Sequence, residues 1–183
     1  MQAPPRLRER RRSQDLVIVE SVRPARGSDA DVWRELMGLL VASSRDHRGR
    51  QETDMDSWTL GPSGPPLDDL GALLAHPSSV VLMGCLDAVP VALAVAEIGK
   101  PAEGERTGYL YLCFVEEGAR QVGLGRLLVD EVLTVLRESG CTSVDGWALP
   151  GDRATKNQFE SAGFKARLIT MHRKLGPAET KGS

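Results

Sequence analysis

The chain has 183 residues, with 23 Lys and Arg against 25 Asp and Glu, for a formal net charge of −2. That length builds one well-buried core, and the charge balance argues against a protein drawn as a whole to nucleic acid or to a membrane surface. Cys85, Cys113 and Cys141 are odd in number and widely spaced in apolar surroundings, which fits reduced core thiols better than a disulfide framework or a zinc site.

No apolar run approaches the roughly 20 residues of a membrane span, and the N-terminus lacks the apolar stretch of a secretory signal, so the expected setting is the cytoplasm. Residues 1–14, "MQAPPRLRERRRSQ", carry five arginines and one glutamate with almost nothing to bury. They are expected to form a disordered basic tail. Residues 15–175 then form one domain, and 176–183 a polar C-terminal tail. "LVIVESVRP" (16–24) reads as a first strand that stops at a proline. "SDADVWRELMGLLVASS" follows as a helix, with a capping box from Ser28 to Asp31 and Val32, Leu36, Leu39 and Leu40 at helical spacing. Residues 45–66 show no sustained periodicity and many Gly, Pro and charged residues, as in a long loop.

A short helix is expected over 67–75. Two valine-rich runs, "SVVLMGCL" and "VALAVAEI", divided by "DAVP", read as a hairpin. A loop over 99–107 leads to the strand "GYLYLCFV". Next comes a helix with Leu124, Leu127, Leu128, Val132, Leu133, Val135 and Leu136 on one side, Arg126, Asp130, Glu131, Arg137 and Glu138 on the other, and Gly140 placed to end it. "TSVDGWAL" reads as a strand, Asp152 as the N-cap of a helix through Ala162, and "FKARLITMHRKL" as a final strand or strand pair. Strands that alternate with helices and also pair as hairpins imply an α/β (α+β) fold with a mixed sheet.

The stretch "EEGARQVGLGRLL" carries the chemistry. A strand ending at Val115, a turn, and a helix starting near Gly125 aim unpaired backbone N–H groups at one point, with the helix dipole behind them. Glycine at 123 and 125 removes the β-carbons that would block close approach, and Arg120 adds a cation at the rim. Such a point suits a pyrophosphate. A Gly-x-Gly before a helix is also found as a plain tight turn. A dinucleotide-binding start lacks its third glycine, replaced here by Leu128, and no Gly-Lys-Ser/Thr of a nucleotide P-loop follows.

"VEEGARQVGLG" (115–125) resembles the acyl-coenzyme A signature of the GNAT superfamily, Arg/Gln-x-x-Gly-x-Gly/Ala, carried by Arg120, Gly123 and Gly125. "FESAGF" (159–164) resembles that family's closing Tyr-x-x-x-Gly-Phe element, and the order of elements agrees over nearly the whole domain. The resemblance implies a central sheet splayed between its fourth and fifth strands. It implies direct transfer of an acetyl group from acetyl-CoA to an amine of a small molecule or peptide. The pantetheine arm would lie along Phe114 and Val115, and the amides of Gln121, Val122, Gly123, Leu124, Gly125 and Arg126 would take the pyrophosphate. Expected partners are acetyl-CoA and an amine acceptor, with a homodimer admitted and neither membrane nor nucleic acid expected.

This sequence also departs from the family. Its usual general acid, a tyrosine, falls at Phe159; the asparagine that contacts the cofactor arm is Asp152; and the glutamate base of the branch acting on ribosomal protein N-termini would align with Trp147. Candidates for proton handling are therefore Tyr109 and Tyr111 on the fourth strand, Asp145, sharing a side with Trp147 on the fifth, and Glu97 at the end of the third, each with an alternative role in packing. Cys113 reads as core packing rather than a nucleophile. His47, His76 and His172 show no ligand spacing, and no metal is assigned. A second class of function, an acyl-CoA-binding regulatory module without catalysis, remains open, and Phe159 is the residue that favours it.

Overall fold

In the computed structural model, the described residues are 18–44, 59–61, 64–102, 104–120, 122–148 and 151–167. The basic tail, most of the loop 45–66, Gln121 and the expected final strand beyond residue 167 lie outside them. The elements run β1 (Glu20–Pro24), α1 (Ala30–Ser44), α2 (Leu70–Ala75), β2 (Ser79–Leu86), β3 (Val89–Ala102), β4 (Glu105–Val115), α3 (Leu124–Glu138), β5 (Ser143–Gly146) and α4 (Arg153–Ser161). The strands form one mixed sheet in the order β1-β2-β3-β4-β5. Its first four strands are antiparallel, and β5 is parallel to β4 after the crossover through α3.

Strands β2 and β3 are apolar on both faces because both faces are covered. Val81, Met83, Cys85, Leu93 and Val95 join the core beneath α1 and α2 with Trp33, Leu36, Leu70 and Leu73. Val80, Leu82, Leu86, Ala92, Ala94 and Ala96 join the core beneath α3 and α4 with Leu124, Leu128, Val129, Val132, Leu136 and Phe159. Burying each large aliphatic side chain contributes about 1.5–3 kcal/mol, so the α3 stripe alone anchors that helix firmly. Strand β1 is the edge, with Glu20, Ser21 and Pro24 exposed, a place where a proline removes no interior hydrogen bond.

Several expectations are corrected. The reciprocal cap before the first helix belongs to Asp29, not Asp31. The Asp29 carboxylate accepts from the Arg26 amide at 2.8 Å, whereas Asp31 pairs with Arg34 on the surface. The first strand is shorter than 16–24, the second helix shorter than 67–75, and the strand expected over "TSVDGWAL" ends at Gly146. The stretch 99–107 is not a loop: β3 and β4 continue to the pair Ala102–Glu105. Within α3, Leu127 faces solvent and Val129 is buried, because the stripe follows 124, 128, 129, 132 and 136. No strand covers residues 164–167.

Two irregularities shape the second half of β4. Val95 pairs with Leu112 and Ala96 with Leu110, so Tyr111 is an extra residue in β4, a β-bulge. Beyond it Leu112 and Phe114 face the α1 side and Cys113 and Val115 the α3 side. The second irregularity is the short contact between β4 and β5. Their pairing ends at Leu110–Gly146, and β4 continues from Tyr111 to Val115 without β5 beside it. The sheet is therefore open between these strands.

Candidate active site

Tyr111 stands at the point where the strands part. Its hydroxyl donates to Glu97 Oε2 at 2.9 Å, and the Ser78 hydroxyl approaches Glu97 Oε1 at 3.5 Å, the outer limit of a hydrogen bond. Burial, followed by the bond to Glu97, pushes the Tyr111 phenol far above its ordinary value, so it keeps its proton. Tyr109 pairs with Glu97 on one side and with Asp145 on the other. Trp147 stacks on both tyrosines, with ring centroids 5.1 Å from Tyr111 and 6.0 Å from Tyr109. The structure thus brings Glu97, Tyr109, Tyr111, Asp145 and Trp147 together on one face. Asp145 also meets Arg167 at 3.9 Å.

On the other face lies the mouth of α3. Gly123 is its N-cap, with φ 91° and ψ −17°, a left-handed conformation that glycine adopts without the penalty of a β-carbon. The first backbone bond of the helix runs from the Leu127 amide to the Gly123 carbonyl, so the amides of Leu124, Gly125 and Arg126 precede the intrahelical ladder. The helix dipole adds partial positive charge at that point. Val122 is exposed and Leu124 is buried. A carboxylate lies nearby: a β-carbon on Gly123 would stand 3.4 Å from Glu20 Oε2.

The remaining expected cofactor residues are placed less simply. Arg120 is an anchored cation: its Nε donates to the Val115 carbonyl at 3.0 Å, and its guanidinium carbon sits 5.9 Å from the centroid of the Phe114 ring. The Arg126 side chain bonds both oxygens of Asp130 and the Ser161 carbonyl, tying α3 to the end of α4. Asp152 caps its own helix, accepting from the Thr155 amide at 3.0 Å and the Thr155 hydroxyl at 2.6 Å. Phe159 is buried, stacks on Phe164 at 4.9 Å, and lies under Gly146, where a β-carbon would come within 3.1 Å of its ring.

One residue escaped sequence reasoning. Gln158 Nε2 donates to the Gly125 carbonyl at 2.7 Å and approaches Cys113 Sγ at 3.0 Å, joining α4, the first turn of α3 and β4. Burial pushes the Cys113 thiol up to about 12, so it is no thiolate nucleophile at neutral pH. The neighbouring Phe159 sits within a motif, but nothing in the local pattern marks a glutamine one position earlier. Among the described residues, no group of three or more His, Cys, Asp or Glu is placed to hold a metal ion, and no helix is long and apolar enough to cross a membrane.

Solved structures share this architecture. An Agrobacterium tumefaciens putative acetyltransferase is 20% identical, with 85% of this chain and 99% of that one aligned at a TM-score of 0.65. The aminoglycoside N-acetyltransferase AAC(6')-Iy, solved with CoA, is 19% identical over 88% of this chain and 99% of its own, with a TM-score of 0.63. A Trypanosoma brucei acetyltransferase is 21% identical over 86% and 100%, with a TM-score of 0.60. No curated protein matches in sequence. At these identities the likeness is one of fold, but residues 33–164 match the model of the Acetyltransferase (GNAT) family, well over half of the chain. An open mixed sheet, a bare helix mouth at its fourth strand and that match lead to one conclusion: the chain belongs to the GNAT acetyltransferase family.

Proposed function

We propose that the protein is an N-acetyltransferase that moves an acetyl group from acetyl-CoA to an amine. The observation that carries this reading is the double use of β4: its end leads to the helix mouth at Gly123, and its bulge puts Tyr111, bonded to Glu97, where β5 leaves it. The helix mouth fits an acyl-CoA, since the left-handed Gly123 leaves room for close approach and the amides of Leu124, Gly125 and Arg126 are donors outside the ladder. Gly123, Leu124, Gly125 and Arg126 would hold the pyrophosphate, and Phe114 and Val115 would lie along the pantetheine arm. Arg120 would stiffen the end of β4 rather than reach for phosphate. When bound, acetyl-CoA supplies a thioester whose C–S bond breaks as the amine nitrogen bonds to the acetyl carbon; the departing thiolate takes its proton from water, and the proton that the nitrogen gives up returns to solvent through the base.

Glu97 is the base in this reading. Tyr111 donates to one of its oxygens and orients the carboxylate, which leaves Oε1, with Ser78 at its limit of reach, to take the proton that the nitrogen gives up. Positioning does the rest, because a thioester needs no covalent enzyme intermediate. Phe159, where the resemblance implies a tyrosine acid, is packed in the core and donates nothing. That packing favours the second reading, an acyl-CoA-binding module without turnover.

Release of free thiol from acetyl-CoA across a panel of amines separates the two. The wild type is expected to turn over, and Glu97→Gln to lose on the order of 10²–10⁴ in rate, the usual contribution of a positioned base. Silence with every amine, with CoA demonstrably bound, would leave the binding module standing.

A further inference from the structure

The face that holds Glu97 has more recognition chemistry than one amine needs. Glu97, Tyr109 and Asp145 stand in a single cross-strand row, with Glu97 paired to Tyr109 and Tyr109 to Asp145. Adjacent strands lie about 4.8 Å apart, so the two carboxylate-bearing positions are about 10 Å apart with an aromatic ring between them. Trp147 stacks over Tyr109 and Tyr111 and is itself 51% exposed, which extends the ring surface to solvent beside Asp145.

Aromatic faces attract cations and alkyl chains, and carboxylates attract ammonium groups. Among the described residues the basic side chain paired with Asp145 is Arg167, at 3.9 Å and 80% exposed, a pair of the solvated kind that an entering cation displaces readily. Glu97 is bonded to a phenol and a serine rather than to a cation among those residues.

We infer that the acceptor is a diamine: one nitrogen is acetylated beside Glu97, while a second remains an ammonium held by Asp145 and the faces of Tyr109 and Trp147. This rests on the N-acetyltransferase reading. Asp145 and Trp147 are then specificity-determining residues. A monoamine uses only half of the row, and an acceptor ending in a carboxylate meets Asp145 with like charge.

Cadaverine, pentylamine and aminovalerate share a chain length and differ only at the far end. Thiol release from acetyl-CoA is expected to give cadaverine a kcat/KM about tenfold above pentylamine, with aminovalerate below both. Asp145→Asn and Trp147→Ala are each expected to narrow the cadaverine-to-pentylamine ratio to about threefold or less. Arg167→Ala, which removes the competing guanidinium, is expected to widen it. Equal rates for cadaverine and pentylamine, or a ratio that Asp145→Asn leaves unmoved, would overturn the diamine assignment while leaving amine acetylation intact.

A binding readout covers the case of no turnover. Cadaverine is expected to quench the tryptophan fluorescence of the CoA-loaded wild type, pentylamine to do so only at higher concentration, and Trp147→Phe to abolish the response. Quenching by cadaverine with no thiol release from any amine sinks the enzyme reading and keeps a diamine site; neither quenching nor turnover with cadaverine sinks the diamine site, whatever other amines do.

Discussion

At the scale of single residues, the face that carries Glu97 depends on pairs that no local pattern announces. Tyr111 and Glu97 are 14 positions apart and meet because β3 and β4 pair in one register with one bulge. Arg23 and Asp29 form a similar pair beneath the α1 face, at 2.8 and 2.7 Å with both terminal guanidinium nitrogens engaged. Asp29 is buried, and the hydrogen bonds from Arg23, opposed by burial, hold its carboxyl below the ordinary value of 3.8. A depressed carboxyl stabilises the fold above the unfolded value and loses that contribution as pH falls through the folded one. Asp29→Asn is therefore expected to destabilise the protein by about 1.5–3 kcal/mol at neutral pH. The deficit should shrink as the medium is acidified below the ordinary carboxyl value, which urea unfolding at several pH values measures. A deficit constant with pH would show that the charge of Asp29 is not what stabilises the cap.

At the scale of elements, backbone conformation sets the geometry at both ends of the sheet. The β2–β3 hairpin turns on Asp87 and Ala88, with φ of 49° and 66°, the paired left-handed geometry of a two-residue hairpin turn built here without glycine. Asp87 is held there by Val19, whose amide donates to Asp87 Oδ1 at 3.0 Å while its carbonyl accepts from the Asp87 amide at 2.9 Å. Ala88 has a β-carbon in a region that disfavours one by about 1–2 kcal/mol. Ala88→Gly is thus expected to raise stability by about 1 kcal/mol, the relief being partly offset by the greater freedom of glycine in the unfolded chain. A lower denaturation midpoint for the variant would mean that the turn is not strained. Gly123 presents the converse case, since its φ of 91° at the start of α3 suits no other residue well.

At the scale of the whole molecule, the two faces of the sheet divide the work. Burial beneath α3 holds the helix whose mouth would receive an anionic cofactor, and the opposite face holds the acidic and aromatic row. Binding to the folded state alone raises stability by about 2.7 kcal/mol at a hundred times the dissociation constant, so acetyl-CoA is expected to shift the thermal midpoint upward. Glu20, whose carboxylate borders Gly123, would oppose a pyrophosphate there by like charge across solvent. Glu20→Gln is expected to tighten CoA binding by a few-fold, as calorimetry would record, and the gain should fade with added salt. No thermal shift at millimolar ligand would count against the cofactor site, while a shift unchanged in Glu20→Gln would remove Glu20 from it.

The sequence by itself determined the elements that depend on neighbours along the chain. The span of α3, the glycine-bare entry to that helix, the Asp152 cap and the existence of a hairpin between the two valine-rich runs are encoded within one or two turns, where periodicity and capping act directly. The turn itself is tighter than the "DAVP" of the sequence, with β3 starting at Val89, and Val129 rather than Leu127 joins the buried stripe. Tertiary structure alone decided the rest. Strict alternation along β4 puts Tyr109, Tyr111, Cys113 and Val115 on one side, but the bulge at Tyr111 sends Cys113 and Val115 to the other. The early end of β4–β5 pairing, the Glu97–Tyr111 bond and the reach of Gln158 to Gly125 likewise follow from strand register and helix packing. Those depend on energies summed over contacts distant in the chain, which no short window of residues contains.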